Sequence, residues 1–123
     1  MVSVMIQPFI AELARNGEWS LVLMGGQYSH AVLKRPRSGD FRVQAEHGGS
    51  AQASLPSRDT IATARKITSS VGHPWLYARV DGCEIDGRFV LVELEMLEPS
   101  LFLGADPLAP DRFAAAIRRT LGL

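Results

Sequence analysis

The chain has 123 residues, 13 of them basic and 13 acidic, for a formal net charge of zero. That length gives one domain with enough chain for a packed core, and the charge balance excludes a nucleic-acid-coating surface, which needs a basic excess. A single cysteine, Cys83, excludes a disulfide framework and a cysteine-rich zinc site and points to a reducing, cytoplasmic setting.

No apolar run approaches the ~20 residues that cross a bilayer, so no membrane association is expected. The N-terminus "MVSVMIQPFI" lacks the basic flank and small-residue cleavage site of a signal peptide. "VSVMIQPFI" is apolar and β-branched at its start, which predicts a short strand leaving at Pro8. "AELARNGE" predicts a short helical or turn segment ending at Gly17. "WSLVLM" and "QYSHAVLK" flank Gly25-Gly26, whose freedom at positive φ suits a hairpin turn. Residues 36–58 are polar and rich in Gly, Ser, Pro and charge. That stretch is far longer than the usual loop of ~4–6 residues, as functional lids and disordered connections are.

"SRDTIATARKITSSVG" sets Ile61, Ala64, Ile67 and Val71 at helical spacing, with Ser57 or Asp59 as N-cap and Gly72 as the stop. "WLYARVDGCEIDGRFVLVELEML" predicts a second hairpin around Asp86-Gly87. In "DPLAPDRFAAAIRRTLGL", Asp111 is the expected cap of a helix. Its apolar stripe is Phe113, Ile117 and Leu121, and Arg118 and Arg119 lie at the end favoured by the helix dipole. The fold class is α+β: antiparallel hairpins with two helices packed on one face, a single domain over residues 1–123.

The second hairpin ends in "VLVELEMLEPS", where acids interrupt an apolar strand. Strand residues alternate faces. Ala78, Val80, Val90, Val92, Leu94 and Met96 make one face, the expected core, and Arg79, Asp81, Leu91, Glu93 and Glu95 make the other. Burial favours a register in which both arms keep their charges on one side. A three-residue turn, Ile85-Asp86-Gly87, achieves this and sets Arg79 opposite Glu93 and Asp81 opposite Leu91. Carboxylates converging from adjacent strands repel unless a cation is shared, and oxygen ligands suit Mg²⁺. The same residues also suit a solvated polar face in which Arg79 pairs with Glu93.

"YARVDGCEIDGRFVLVELEMLEPS" resembles the C-terminal magnesium segment of the ATP-grasp ligases. There an Asp at a strand end and a Glu-x-Asn on the next strand are followed by a Pro. Asp81, Glu93 and Pro99 match that pattern, and Arg79 matches the Arg-x-Asp form of the D-alanine–D-alanine ligases. "KRPRSGDFRVQAEHGGS" is similar to the Gly-acid-x-Arg-x-Asn-x-x-x-Gly-Gly segment of glutathione synthetases and ribosomal-protein glutamate ligases, at Gly39, Asp40, Arg42, Gln44, Gly48 and Gly49. "MIQPFI" looks like the hinge stretch that lines the adenine pocket, with Gln7, Pro8, Phe9 and Ile10. "GEWSLVLMGGQYSHAVLKRP" is most like the cycloserine-type, antibiotic-pathway members of the family. Two positions depart from the pattern. Glu95 stands where the family has Asn and keeps an oxygen ligand with one more negative charge. Gln44 stands where Asn is frequent and is longer by a methylene.

The resemblance implies an ATP-dependent carboxylate–amine ligase working through an acylphosphate. Its implied metal ligands are Asp81, Glu93 and Glu95, holding Mg²⁺ or Mn²⁺. Arg79 would stabilise an oxyanion. Arg42, Lys34 and the Gly48-Gly49 backbone would contact phosphate or substrate under a closing lid. The implied partners are ATP, a small carboxylate and an amine. A full enzyme of the family also has an N-terminal substrate domain and a first ATP-grasp lobe, which this chain is expected to lack, leaving it inactive alone and open to self-association as a homo-oligomer. The competing reading is a non-catalytic remnant or binding module of the same ancestry. Of the histidines, His47 lies nearest the implied substrate site, His30 sits in a strand, and His73 precedes Pro74 in a turn. Cys83 has no His-and-acid arrangement, Trp19 and Trp75 are expected in the core or at an interface, Glu98 suits the turn before Pro99, and Glu18 suits either a turn or a contact with a ribose.

Overall fold

The computed structural model describes residues 3–36 and 49–123. Five strands form one antiparallel sheet in the order β3-β2-β1-β4-β5. They are β1 (Glu18–Met24), β2 (Gln27–Arg35), β3 (Ser50–Ala53), β4 (Tyr77–Ile85) and β5 (Arg88–Glu95). The helices are α1 (Ala11–Asn16), α2 (Arg58–Ser69) and α3 (Ala109–Leu121), with a short 3-10 turn at Leu103–Ala105 before α3. Among the described residues no helix is long and apolar enough to cross a membrane.

The expected hairpins form, but the N-terminal stretch and the long polar stretch depart from expectation. Residues 3–10 take no regular secondary structure. Pro8 cannot donate to a ladder, and Gln7 reaches β5 with its side chain, Nε2 donating to Val92 O at 3.2 Å. Within the long polar stretch, Ser50–Ala53 pairs with β2 as the edge strand β3. Its four residues, Ser-Ala-Gln-Ala, are all exposed, and alanine is too small to give a clear apolar alternation.

The helices also begin and end by local chemistry. Ser57 caps α2, its Oγ accepting from Thr60 N at 3.1 Å, while the helix closes at Ser70 rather than Gly72. α3 starts before Asp111. Pro110 occupies its first turn, where a missing N–H costs nothing, and Asp106 Oδ1 accepts from Leu108 N at 2.8 Å.

The two long helices lie on opposite faces of the sheet, not on one. Leu21, Leu23, Ala31 and Val80 point to the face where Ala64, Ile61 and Ile67 of α2 pack, with Trp19 and Trp75 at the margin. Val22 and Met24, one residue out of phase, point to the other face and meet Ala116 and Phe113 of α3. Leu21, Leu23, Val22 and Val80 are each 0% exposed, and each such burial stabilises by about 1.5–3 kcal/mol. α3 covers only the end of its face near Met24. The remainder of that face carries charge.

Candidate functional site

The hairpin of β4 and β5 decides which side chains share the charged face. Its turn has two residues, with Asp86 at φ 50° and Gly87 at φ 74°, and pairs Ile85 with Arg88. Two positive φ angles match the twist of the flanking strands. A plain two-residue hairpin would place Glu93 on the face opposite Asp81. A β-bulge prevents this: Gly82 pairs with Leu91 but Asp81 pairs with Glu93, so Val92 is the extra residue. The expected three-residue turn, with Arg79 opposite Glu93 and Asp81 opposite Leu91, is therefore wrong. The partners are Arg79 with Glu95 and Asp81 with Glu93. The shared charged face survives because the bulge supplies the odd residue. Val90 and Val92 leave the expected core face and line a cleft instead.

Gly82 permits the bulge. A Cβ there would lie 2.3 Å from Val90 O and 2.5 Å from Phe89 Cζ. No side chain fits that close approach.

Rows of side chains now cross the sheet on the charged face. Ser20 of β1 pairs with Asp81, and Asp81 with Glu93. Val22 pairs with Arg79, and Arg79 with Glu95. Lys34 pairs with Glu18. Asp81 is 1% exposed and fully engaged. Arg79 Nε donates to its Oδ1 and Oδ2 at 3.1 and 3.0 Å, and Arg79 Nη2 to Oδ2 at 2.8 Å. Ser20 Oγ donates to Asp81 Oδ1 at 2.5 Å. Arg79 Nη2 also meets Glu95 Oε2 at 2.5 Å, so the guanidinium bridges two carboxylates. Burial opposes the Arg79 charge, but the hydrogen bond to Asp81 and the charges of Asp81, Glu95 and Glu93 outweigh it and raise its pKa further. Lys34 Nζ lies 2.5 Å from Glu18 Oε2 and 3.9 Å from Asp81 Oδ1. Burial pushes the Glu18 carboxyl above its ordinary value, with the hydrogen bond from Lys34 pulling the other way.

Asp81, Glu93 and Glu95 each offer an oxygen within 4.8 Å of the others. Octahedral Mg²⁺ with ligands at ~2.1 Å spans oxygens up to about 4 Å apart, close to the spacing of this trio. Among the described residues, Glu18, Asp81, Glu93 and Glu95 face Lys34 and Arg79, an excess of acid that favours a cation.

A second feature adjoins this face across β5. Gln7, Pro8, Phe9 and Ile10 line an apolar cleft of ≈ 530 Å³ with Leu13, Val90, Leu91 and Val92. That volume lies in the range of small-molecule sites. Val92 borders the cleft and is the chain neighbour of Glu93.

The structure thus brings together Asp81, Glu93, Glu95, Arg79 and Lys34 on one face, and Gln7 to Ile10 in the adjoining cleft. Gly49 precedes the edge strand β3. Arg42 and Gly48, with Gly39, Asp40, Gln44 and His47, lie outside the described residues. Sequence reasoning missed Ser20 and left Glu18 between a turn role and a ribose contact, not a partner of Lys34. Both alternate with Trp19 and Leu21 in "EWSLVLM", a period-two signal. The pairing of β1 with β4 that gives the signal its meaning is not visible in the sequence.

No protein-family model matches the chain. It is 31% identical, over 96% of its length, to the cycloserine biosynthesis protein DcsG of Streptomyces lavendulae, and spans 42% of that protein. The crystal structure of D-cycloserine synthetase DcsG superposes on 94% of the chain with a TM-score of 0.72 at 29% identity, again over 41% of the relative. D-alanine–D-alanine ligase from Bacillus anthracis complexed with ATP shares the fold with a TM-score of 0.58 at 16% identity, over 84% of this chain and 37% of that one. The chain is thus related by sequence and fold to the ATP-grasp ligases and has the architecture of their C-terminal lobe.

Proposed function

We propose that this chain is the nucleotide- and metal-binding C-terminal lobe of an ATP-dependent carboxylate–amine ligase. The observation that carries the reading is the convergence of Asp81, Glu93 and Glu95 from two strands beside an apolar cleft. In this reading the cleft takes the adenine ring, with Gln7 to Ile10 along one wall and Val90 to Val92 along the other. Asp81, Glu93 and Glu95 would hold Mg²⁺ or Mn²⁺. Glu93, the exposed member of the trio, would be the ligand most accessible to an incoming ion. Bound metal would neutralise phosphate oxygens, which is the main electrostatic demand of phosphoryl transfer.

The protein's own contribution is positioning. Ser20 and Arg79 fix the Asp81 carboxylate, so its oxygens need no reorganisation when charge arrives. Arg79 lies on the metal face, where it can stabilise an oxyanion formed from the substrate carboxylate. Lys34, beside Asp81 and paired to Glu18, is placed to meet phosphate. Arg42 and the Gly48-Gly49 backbone belong to the segment that would close over the acylphosphate and exclude water.

Ligation itself is assigned to this lobe acting with the remainder of a ligase, because the chain spans about 42% of the relative's length. Alone it would bind without turnover. Val4, Met5, Ile6 and Phe9 are 77, 83, 89 and 74% exposed. They suit a surface covered by an N-terminal lobe, and left bare they favour a homo-oligomer. The buried single thiol, Cys83, suits the cytoplasm. One observation favours the non-catalytic alternative: Asp81 is already satisfied by Arg79 and Ser20.

Titration with Mn²⁺ followed by electron paramagnetic resonance tests the metal site. The ligase reading expects saturable binding at one or two sites, lost in Glu93→Gln and weakened in Glu95→Gln. Identical weak binding by all three proteins would leave only the binding-module reading.

A further inference from the structure

Two side chains of the row that crosses the sheet at Val22 grip the same connecting loop. Val22 pairs with His30 of β2 on one side and with Arg79 of β4 on the other. His30 and Arg79 therefore stand on one face, two strand spacings or ~10 Å apart. The chain leaving β5 returns over this row. Arg79 Nη1 donates to Ser100 O at 3.4 Å, and His30 Nε2 donates to Leu101 O at 2.8 Å. A carbonyl only accepts, so Nε2 carries a proton whether the ring is neutral or charged.

His30 is 4% exposed and held from behind. Its Nδ1 lies 2.8 Å from Ser29 Oγ. Ser29 is the extra residue of a second bulge, since Val22 pairs with His30 but Leu23 with Tyr28. Arg112 of α3 donates to Ser29 O at 2.9 Å and is paired with Asp106 at 3.0 Å. The gripped loop is bracketed by two non-glycine residues in the left-handed region, Glu98 at φ 55° and Phe102 at φ 45°. Such conformations persist only where the surroundings over-determine them. Two donors on successive carbonyls supply that constraint.

We propose that His30 is a positioning residue. By holding Leu101 it fixes the Ser100 carbonyl, and through it the place of the Arg79 guanidinium between Asp81 and Glu95. Released from Ser100, Nη1 turns toward the carboxylates and competes with a cation for their oxygens. That last consequence rests on the metal reading above, whereas the coupling of His30 to Arg79 does not.

The test uses the metal-free protein and the Arg79 Nε–H resonance, assigned by its absence in Arg79→Lys. His30→Asn withdraws the donor from Leu101. His30→Gln places an amide N–H where Nε2 was and serves as the rescue. H30N is expected to shift the Arg79 signal and speed its exchange with water, and H30Q to leave it near its wild-type position. An unchanged Arg79 signal in folded H30N overturns the proposal, and so does an equal change in H30Q. The reciprocal variant, Arg79→Lys, is expected to shift the His30 Nε2–H resonance. If H30N does not fold, an unaltered His30 signal in R79K overturns the proposal instead. With the coupling present, Mn²⁺ affinity is expected to fall about tenfold in H30N and not in H30Q. Coupling without Mn²⁺ binding in any variant would sink the metal reading and leave the positioning role standing.

Discussion

Asp81 and Glu93 face each other across one strand pair, yet the structure gives them different work. Asp81 is buried and receives Arg79 and Ser20, so its removal leaves a guanidinium short of its main partner. Asp81→Asn is expected to lower stability by about 3 kcal/mol, the lower end for breaking a buried pair because Glu95 still touches Arg79. Glu93 is exposed, and Glu93→Gln is expected to cost less than about 0.5 kcal/mol. Urea unfolding of both variants checks this contrast; equal losses would mean that Asp81 is not the structural anchor of the charged face. Glu18 adds a pH dependence. Burial lifts its carboxyl above the ordinary value of 4.5, with Lys34 opposing. The native state then keeps the proton at a pH where the unfolded chain has released it. Glu18's contribution is whole below the unfolded value and declines as pH rises through the higher native one. The stability of wild type relative to Glu18→Gln is therefore expected to fall as pH rises from about 4.5. A difference that stays flat or grows across that range would contradict the burial account.

The hairpin of β4 and β5 is the element on which the site depends, and its bulge is the device. Gly82→Ala forces a Cβ to 2.3 Å from a backbone carbonyl. Backbone cannot step aside as a flexible side chain can. The substitution is expected to destabilise by about 3 kcal/mol or more, or to shift the register and scatter the carboxylates. Thermal unfolding together with Mn²⁺ binding distinguishes a wild-type fold, which would show that the approach is not tight, from either loss. The same element shows what the sequence could reveal. Asp86-Gly87 marked the turn, and alternation marked Arg79, Asp81, Glu93 and Glu95 as one face. Burial demanded a shared face, and that demand was met. The means was not legible, because a bulge at Val92 and a three-residue turn satisfy the same parity. Ser57 at the N-terminus of α2 and the glycine pair after Met24 were legible for a simpler reason: capping and positive φ are local chemistry.

At the scale of the molecule the sheet has two unlike faces. α2 packs on one, while α3 packs on only part of the other, beside the charged rows from Glu18 to Glu95. The placement of α3 opposite α2 was beyond the sequence, since both helices carry an apolar stripe and nothing local says which face each will meet. The strand β3 was hidden by its short, exposed Ser-Ala-Gln-Ala sequence, and residues 3–10 misled because a few β-branched residues before a proline do not by themselves make a strand. Ser20 became a site residue only when β1 was seen to pair with β4. The resemblance of the hairpin to the ATP-grasp ligases carried what periodicity could not, and the fold agrees with it. Nucleotide is therefore expected to bind only with the metal present, because the cleft and the carboxylates share β5.

The most direct measurement is calorimetric titration of the chain with a non-hydrolysable ATP analogue, with and without Mg²⁺, beside Glu93→Gln. Binding that requires Mg²⁺ in the wild type and disappears in the variant is the expected result. Equal binding with and without the metal, or no binding by a folded wild type, would contradict the assignment of this face to a metal–nucleotide site.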